Sequence, residues 1–172
     1  MKINSRIYLA SASQRRQELL RQLGVEFDVL PSNILEVRKS GESPAEYVAR
    51  VAADKARWVA QLVEERDLPV YPVLGADTEV VLDGEILGKP ENSAHGRELL
   101  QRLAGRTHEV LSGICVRDRG REHTALSTSR VSFRTLTEAE IAQYWETGEP
   151  SGKTGAYAIQ GRAAAFIAKL EG

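Results

Sequence analysis

Apolar positions along the chain fall into two rhythms, one suited to strands and one to helices. Arg6–Ala10 reads as a short buried strand that runs into Ser11-Ala12-Ser13-Gln14-Arg15-Arg16. A helix follows with Leu19, Leu20 and Leu23 on one side and Gly24 as its stop. Glu26–Leu30 is a second strand ended by Pro31, and the polar stretch Ser32–Glu42 reads as a loop. Ser43-Pro44-Ala45-Glu46 then combines an N-cap serine, a proline at the first helical position and a glutamate closing the capping box. This predicts a helix to Val63 or slightly beyond. Val70–Leu74 looks like a buried strand despite Pro72, and it leads into Gly75-Ala76-Asp77-Thr78. Asp83-Gly84, between Glu79–Leu82 and Glu85–Leu87, is the dipeptide of a tight hairpin. A helix is expected from Asn92 or Ser93 to just before Gly105, then strands over His108–Val116 and His123–Arg134 around the charged turn Arg117–Glu122. Thr137-Glu138-Ala139-Glu140 repeats the capping box, ahead of an apolar face of Ile141, Tyr144 and Trp145. A glycine-rich loop, Gly148–Gly155, precedes a last strand near Ala163–Leu170. Strands alternate with helices early and pair as hairpins later, which predicts an α/β fold with a mixed sheet.

Composition narrows the function classes. The 172 residues suit a single domain spanning 1–172, and 42% hydrophobic with 27% charged residues excludes a disordered tail. A net charge of -1 gives no footprint for duplex nucleic acid, although a few local cations can still hold a small anion. Cys115 is the only cysteine and sits in an apolar run, so it reads as an inert core residue. His95, His108 and His123 lie far apart, which argues against zinc. Ile7–Ala10 is too short for a signal-peptide core and no segment is long enough to span a membrane, so the expected compartment is the cytoplasm.

Three places could carry chemistry. Ser11–Arg16 lies where a strand hands over to a helix, with small residues, hydroxyls, unpaired backbone N–H groups and two guanidinium forks that suit a phosphate. The same segment also reads as a capping serine before two solvated arginines. Lys55 is the sharper signal, because Val48, Val51, Ala52, Trp58, Val59 and Leu62 share its helix face and it is the one charge among them. It must snorkel out, pair with a buried carboxylate or reach into a polar cleft. Asp77, expected at a strand's carboxyl end, suits a Mg²⁺ ligand or a general base, or else caps the hairpin turn. Gly152-Lys153-Thr154 is not a P-loop, because Thr147 stands where that pattern needs its first glycine.

Taken together, several segments resemble the Maf family in order and spacing over most of the chain. They are Leu9–Arg16, Glu36, Lys55-Ala56, Gly75-Ala76-Asp77-Thr78, Gly88-Lys89-Pro90, Gly105-Arg106-Thr107-His108 and Lys153–Gly161. The resemblance implies a twisted mixed sheet flanked by helices, similar to ITPases, with an active-site cleft between two lobes. It implies hydrolysis of a nucleoside triphosphate to monophosphate and pyrophosphate with a divalent cation such as Mg²⁺ or Mn²⁺. By that likeness Ser11, Arg16 and Lys89 bind phosphate, and Asp77 is the proton acceptor, with Lys55 and Glu36 beside it. The same likeness makes Glu36 and Asp77 the expected metal ligands. Arg15, Thr78 and Gln160 occupy the three positions that sort subgroups and look like those of the branch acting on dTTP and UTP. The branch acting on 7-methyl-GTP carries tryptophan, glutamine and glutamate there. Two departures stand out: Gln14 replaces a usual proline, and the sequence stops at Gly172 where relatives usually continue through a Gly-Leu-Pro segment and a helix. The implied partner is the nucleotide, with a homodimer as a further family expectation and no nucleic acid or membrane. The alternative is a nucleotide-binding regulator of septum formation and cell division, a role also linked to the family.

Overall fold

Local rules place most of the elements. The computed structural model describes residues 6–172, in the order β1 (Ile7–Leu9), α1 (Gln14–Gln22), β2 (Phe27–Val29), α2 (Pro44–Glu65), β3 (Val73–Leu82), β4 (Glu85–Ile86), α3 (Ser93–Leu103), β5 (Thr107–Asp118), β6 (Arg121–Phe133), α4 (Glu138–Glu146) and β7 (Ile167–Glu171). Both expected capping boxes form, Ser43 with Glu46 ahead of α2 and Thr137 with Glu140 ahead of α4. Each satisfies orphan N–H groups of a first helical turn. Asp83 and Gly84 both take positive φ between β3 and β4, as a two-residue hairpin of the right twist requires.

The strands form one seven-stranded sheet in the order β2-β1-β3-β5-β6-β7, with β4 paired to β3. β1 pairs parallel with β2 and β3, whereas β3–β4 and β6–β7 are antiparallel, so the sheet is mixed as expected. The chain divides into two compact units. The first comprises residues up to Asp77 with Ser112–Leu126, and the second comprises Thr78–Leu111 with Ser127–Gly172. In the first, α2 buries Tyr8, Ala10, Val73 and Cys115 against Ala52, Ala56, Val59 and Val63. In the second, Leu99, Leu100 and Leu103 of α3 share a core with Val131, Phe133, Ile141, Tyr144, Tyr157 and Phe166.

Three expectations change. Only Leu20 of the first leucine trio is buried. Leu19 and Leu23 are exposed, because α1 stops at Gln22 and its packed positions are Gln17 and Leu20. Ala163–Phe166 belong to a 3-10 helix, Arg162–Phe166, so the last strand starts at Ile167. Most consequential, Gly75–Thr78 lie inside β3 rather than past its end. Pro72 precedes the strand, which resolves the conflict it posed. The parallel pairing with β1 reaches only Leu74, and Asp77 sits three residues beyond it, still within extended backbone.

Candidate active site

Small residues make the central contact possible. A Cβ at Gly75 would overlap the backbone of Ala52 and Ala56, so glycine in β3 lets α2 pack at backbone distance. At that separation Lys55 and Asp77 meet. Lys55 Nζ donates to Asp77 Oδ1 at 2.8 Å and pairs with Glu36 Oε1 at 3.0 Å. Lys55 is 6% exposed and Asp77 5%, whereas the Glu36 side chain is partly open to solvent. Of the three outcomes open to a charge in the middle of an apolar stripe, the chain has taken pairing with carboxylates.

Asp77 keeps one oxygen without a partner among the described residues: Oδ2 is buried and accepts no hydrogen bond. A buried carboxylate oxygen left this way is costly unless something else satisfies it. The loop carrying Glu36 is held by the same helix that carries Lys55. The Tyr47 hydroxyl donates to the Glu36 carbonyl at 3.2 Å, and the Arg50 guanidinium donates to the Val37 carbonyl at 2.9 Å. Arg50 also binds Glu42 at the loop's end, which holds the Glu42 carboxyl down at about 2. Sequence reasoning missed Tyr47 and Arg50. Their only local signal is that both fall on the first turns of a helix following a polar loop.

At the handover from β1 to α1, the two readings divide residue by residue. Ser13 is the N-cap of α1, accepting from the Arg16 N–H at 3.4 Å. Ser11 is buried and accepts from Arg16 Nη1 at 3.0 Å, so Arg16 is not a solvated side chain. Burial draws the Arg16 guanidinium below its ordinary value, against the attraction of the Asp77 and Glu36 carboxylates. Arg15 points to solvent and pairs weakly with Glu18 at 3.4 Å. Ser11, Arg16, Glu36, Lys55 and Asp77 therefore form one polar group with both signs of charge.

Thr78, Lys89 and Gln160 are carried by the second unit, where Lys89 and Gln160 are exposed. The Gly155 N–H donates to the Gly88 carbonyl at 2.7 Å, joining the Gly88-Lys89-Pro90 turn to the Lys153–Gly161 segment. Thr154 ties that segment to β3, donating to Glu79 at 2.7 Å and accepting from the Val80 N–H at 3.4 Å. Two other motif residues serve packing. His108 is buried with Nε2 2.7 Å from the Tyr157 hydroxyl, and Arg106 binds the hairpin residue Asp83 at 2.6 Å. Cys115 is fully buried, and burial pushes its thiol up, away from the reactive thiolate. Among the described residues no helix is long and apolar enough to cross a membrane.

Comparison with known proteins bears on family and fold. A family model described as Maf-like protein matches residues 6–172. A protein of Alkalilimnicola ehrlichii named dTTP/UTP pyrophosphatase is 52% identical over 167 residues, covering 96% of this chain and 82% of its own. A protein of Cupriavidus pinatubonensis with the same name is 49% identical over 172 residues, with coverage of 96% and 86%. Among solved structures, the Ham1 protein of Staphylococcus aureus superposes with a TM-score of 0.50 at 17% identity, over 74% of this chain and 71% of that one. At that identity the likeness concerns the fold alone.

Proposed function

The chain belongs to the Maf family, and we propose that it hydrolyses dTTP and UTP to the monophosphate and pyrophosphate, clearing unwanted pyrimidine triphosphates from the nucleotide pool. The relatives at about half identity bear the name of that activity. The structural observation that carries the reading is the unpartnered, buried Oδ2 of Asp77 beside a lysine and an arginine. Such an oxygen suits a proton acceptor for water.

The reaction is attack of water on the α-phosphorus. A new P–O bond forms, the bond to the bridging oxygen of the β-phosphate breaks, and pyrophosphate leaves with that bond's electron pair. Asp77 orients the water and takes its proton. Lys55 holds Asp77 in place through Oδ1 and leaves Oδ2 for the water. Arg16, anchored on Ser11, and Lys89 bind phosphate oxygens, where fixed cations stabilise charge that grows as the bond breaks. Gln160 reads the base by its amide, and Arg15 and Thr78 contribute to base selection.

Glu36 and Asp77 are the residues that would hold a divalent cation. Among the described residues no group of three or more His, Cys, Asp or Glu side chains is placed to bind one. Two carboxylates supplemented by substrate phosphates is a common pattern for Mg²⁺, and the Glu36 carboxylate is partly open to solvent. When bound, the cation neutralises phosphate charge in the developing transition state.

The test is release of pyrophosphate from a panel of triphosphates with Mg²⁺ or Mn²⁺, repeated with chelator and with Gln160→Glu. We expect dTTP and UTP to exceed GTP and 7-methyl-GTP in kcat/KM by about tenfold or more, since an unmet hydrogen bond costs about 1–3 kcal/mol. Chelator should abolish turnover, and Gln160→Glu should erode the preference more than the best rate. A preference for 7-methyl-GTP would overturn the substrate assignment, and no pyrophosphate release from any triphosphate would overturn the enzyme.

A further inference from the structure

Gln160 is exposed, yet the backbone on both sides of it is fastened to one polar unit at the end of α4. Upstream, the Ala158 N–H donates to the Tyr144 hydroxyl at 3.2 Å. Downstream, the N–H groups of Arg162 and Ala163 donate to Glu149 Oε2 at 3.0 Å and Oε1 at 3.3 Å. Tyr144 closes the unit by donating its own hydroxyl proton to Glu149 Oε1 at 2.7 Å. Between these anchors the Gly161 N–H bonds the Ala158 carbonyl at 3.0 Å, making a tight turn with Gln160 at its crest. The anchors are themselves fixed. Tyr144 is buried, and its ring meets Phe166 edge-on at 5.1 Å. Thr147 accepts from the Glu149 N–H at 3.2 Å while donating to the Tyr144 carbonyl at 2.6 Å.

From this geometry we propose that Glu149, acting with Tyr144, is a positioning residue for base selection: it sets the height and tilt of the Gln160 turn. The proposal rests on the reading of Gln160 as the residue that meets the base. A side chain on a two-ended turn aims only as well as the backbone beneath it, and small misplacements of a recognition group are costly. Gly161 supports the same conclusion independently. A Cβ there would overlap the Glu149 carboxylate, so the turn closes directly onto it and any larger residue would dislodge it from the two N–H groups. The carboxylate is held on its ionised side. Burial pushes it up, but the Arg162 N–H, the Tyr144 hydroxyl, the Ala163 N–H and the charge of Lys153 together leave it below its ordinary value. An amide of the same shape would set a second donor against one of the N–H groups.

The decisive measurement is the ratio of kcat/KM for dTTP to that for GTP, taken in the full chain with Mg²⁺. Glu149→Gln should lower the ratio about tenfold, with the loss appearing in KM for dTTP rather than in kcat. Gly161→Ala should do the same without substituting any clamp residue, and Tyr144→Phe should give a smaller fall in the same direction. In a Gln160→Ala background, Glu149→Gln should change the ratio less than about twofold, because residues acting as one unit are not additive. A merely structural role would lower turnover on all bases together and leave the ratio alone. If Glu149→Gln does not fold, Gly161→Ala and Tyr144→Phe decide. An unchanged ratio in the folded variants, or a full effect persisting without Gln160, overturns the proposal. A wild-type protein that does not discriminate between dTTP and GTP overturns instead the reading of Gln160 on which it stands.

Discussion

Lys55 and His108 are both basic side chains buried in apolar surroundings, and the chain deals with them in opposite ways. His108 avoids charge. Burial lowers its pKa to about 4, its Nε2 meets the Tyr157 hydroxyl, and its ring packs edge-on against Phe133 and Tyr157. Lys55 instead gathers two carboxylates around its ammonium, one of them as buried as itself. Replacing a buried ion pair by well-packed apolar residues is often neutral or stabilising, so folding alone does not account for the second arrangement. The histidine serves the core, whereas the lysine cluster keeps charge where it is expensive, which is what chemistry on a polyanion requires.

The comparison can be broken in three places. Lys55→Met leaves Asp77 and Glu36 without their shared cation, and it should cost about 3–5 kcal/mol of stability in urea unfolding. Adding Asp77→Leu should recover most of that stability and none of the activity. Recovery of activity would mean that the charges were structural after all. Asp77→Asn should bind nucleotide nearly as well as the wild type while turnover falls about a hundredfold or more. Equilibrium binding beside single-turnover rates separates the two effects, and near-normal turnover would reduce Asp77 to an anchor for Lys55.

The smallest effect belongs to His108. The unfolded chain takes up the imidazole proton near pH 6.5, while the folded chain resists it down to about 4. Stability from the neutral ring is complete above pH 6.5 and is lost as pH falls toward 4. Between pH 7.5 and 5 the loss should be about 2 kcal/mol. His108→Gln should flatten this slope in urea unfolding and leave the ranking of nucleotides untouched. A slope that survives the substitution would assign the proton to another group.

How much of this was legible in the sequence follows from the range of the forces involved. Capping boxes at Ser43 and Thr137, and the Asp83-Gly84 turn, are decided within four residues and formed as expected. The Lys55 stripe was legible because helical periodicity needs no partner to be seen. The place of Asp77 in mid-strand was not, since Gly75-Ala76 resembles a turn until the backbone of α2 is known to lie against it. Glu149 was invisible as a site residue. It lies in a glycine-rich loop and its partners sit up to fourteen positions away, where no periodicity marks which backbone N–H groups converge.

The contact between β3 and α2 at Gly75 behaves like a mechanical stop. Strand and helix already touch through main-chain atoms of Ala52 and Ala56, so they have no slack to draw closer and no side chain to trim. The span from Lys55 to Asp77 is therefore gauged by the scaffold and not by the two residues that use it. Changing either residue's length leaves its partner stranded at a fixed distance. The Lys55-Ala56 and Gly75-Ala76-Asp77 motifs thus work as one part in two pieces, each machined to the other, and drift in one would have to be matched in the other to keep the fit.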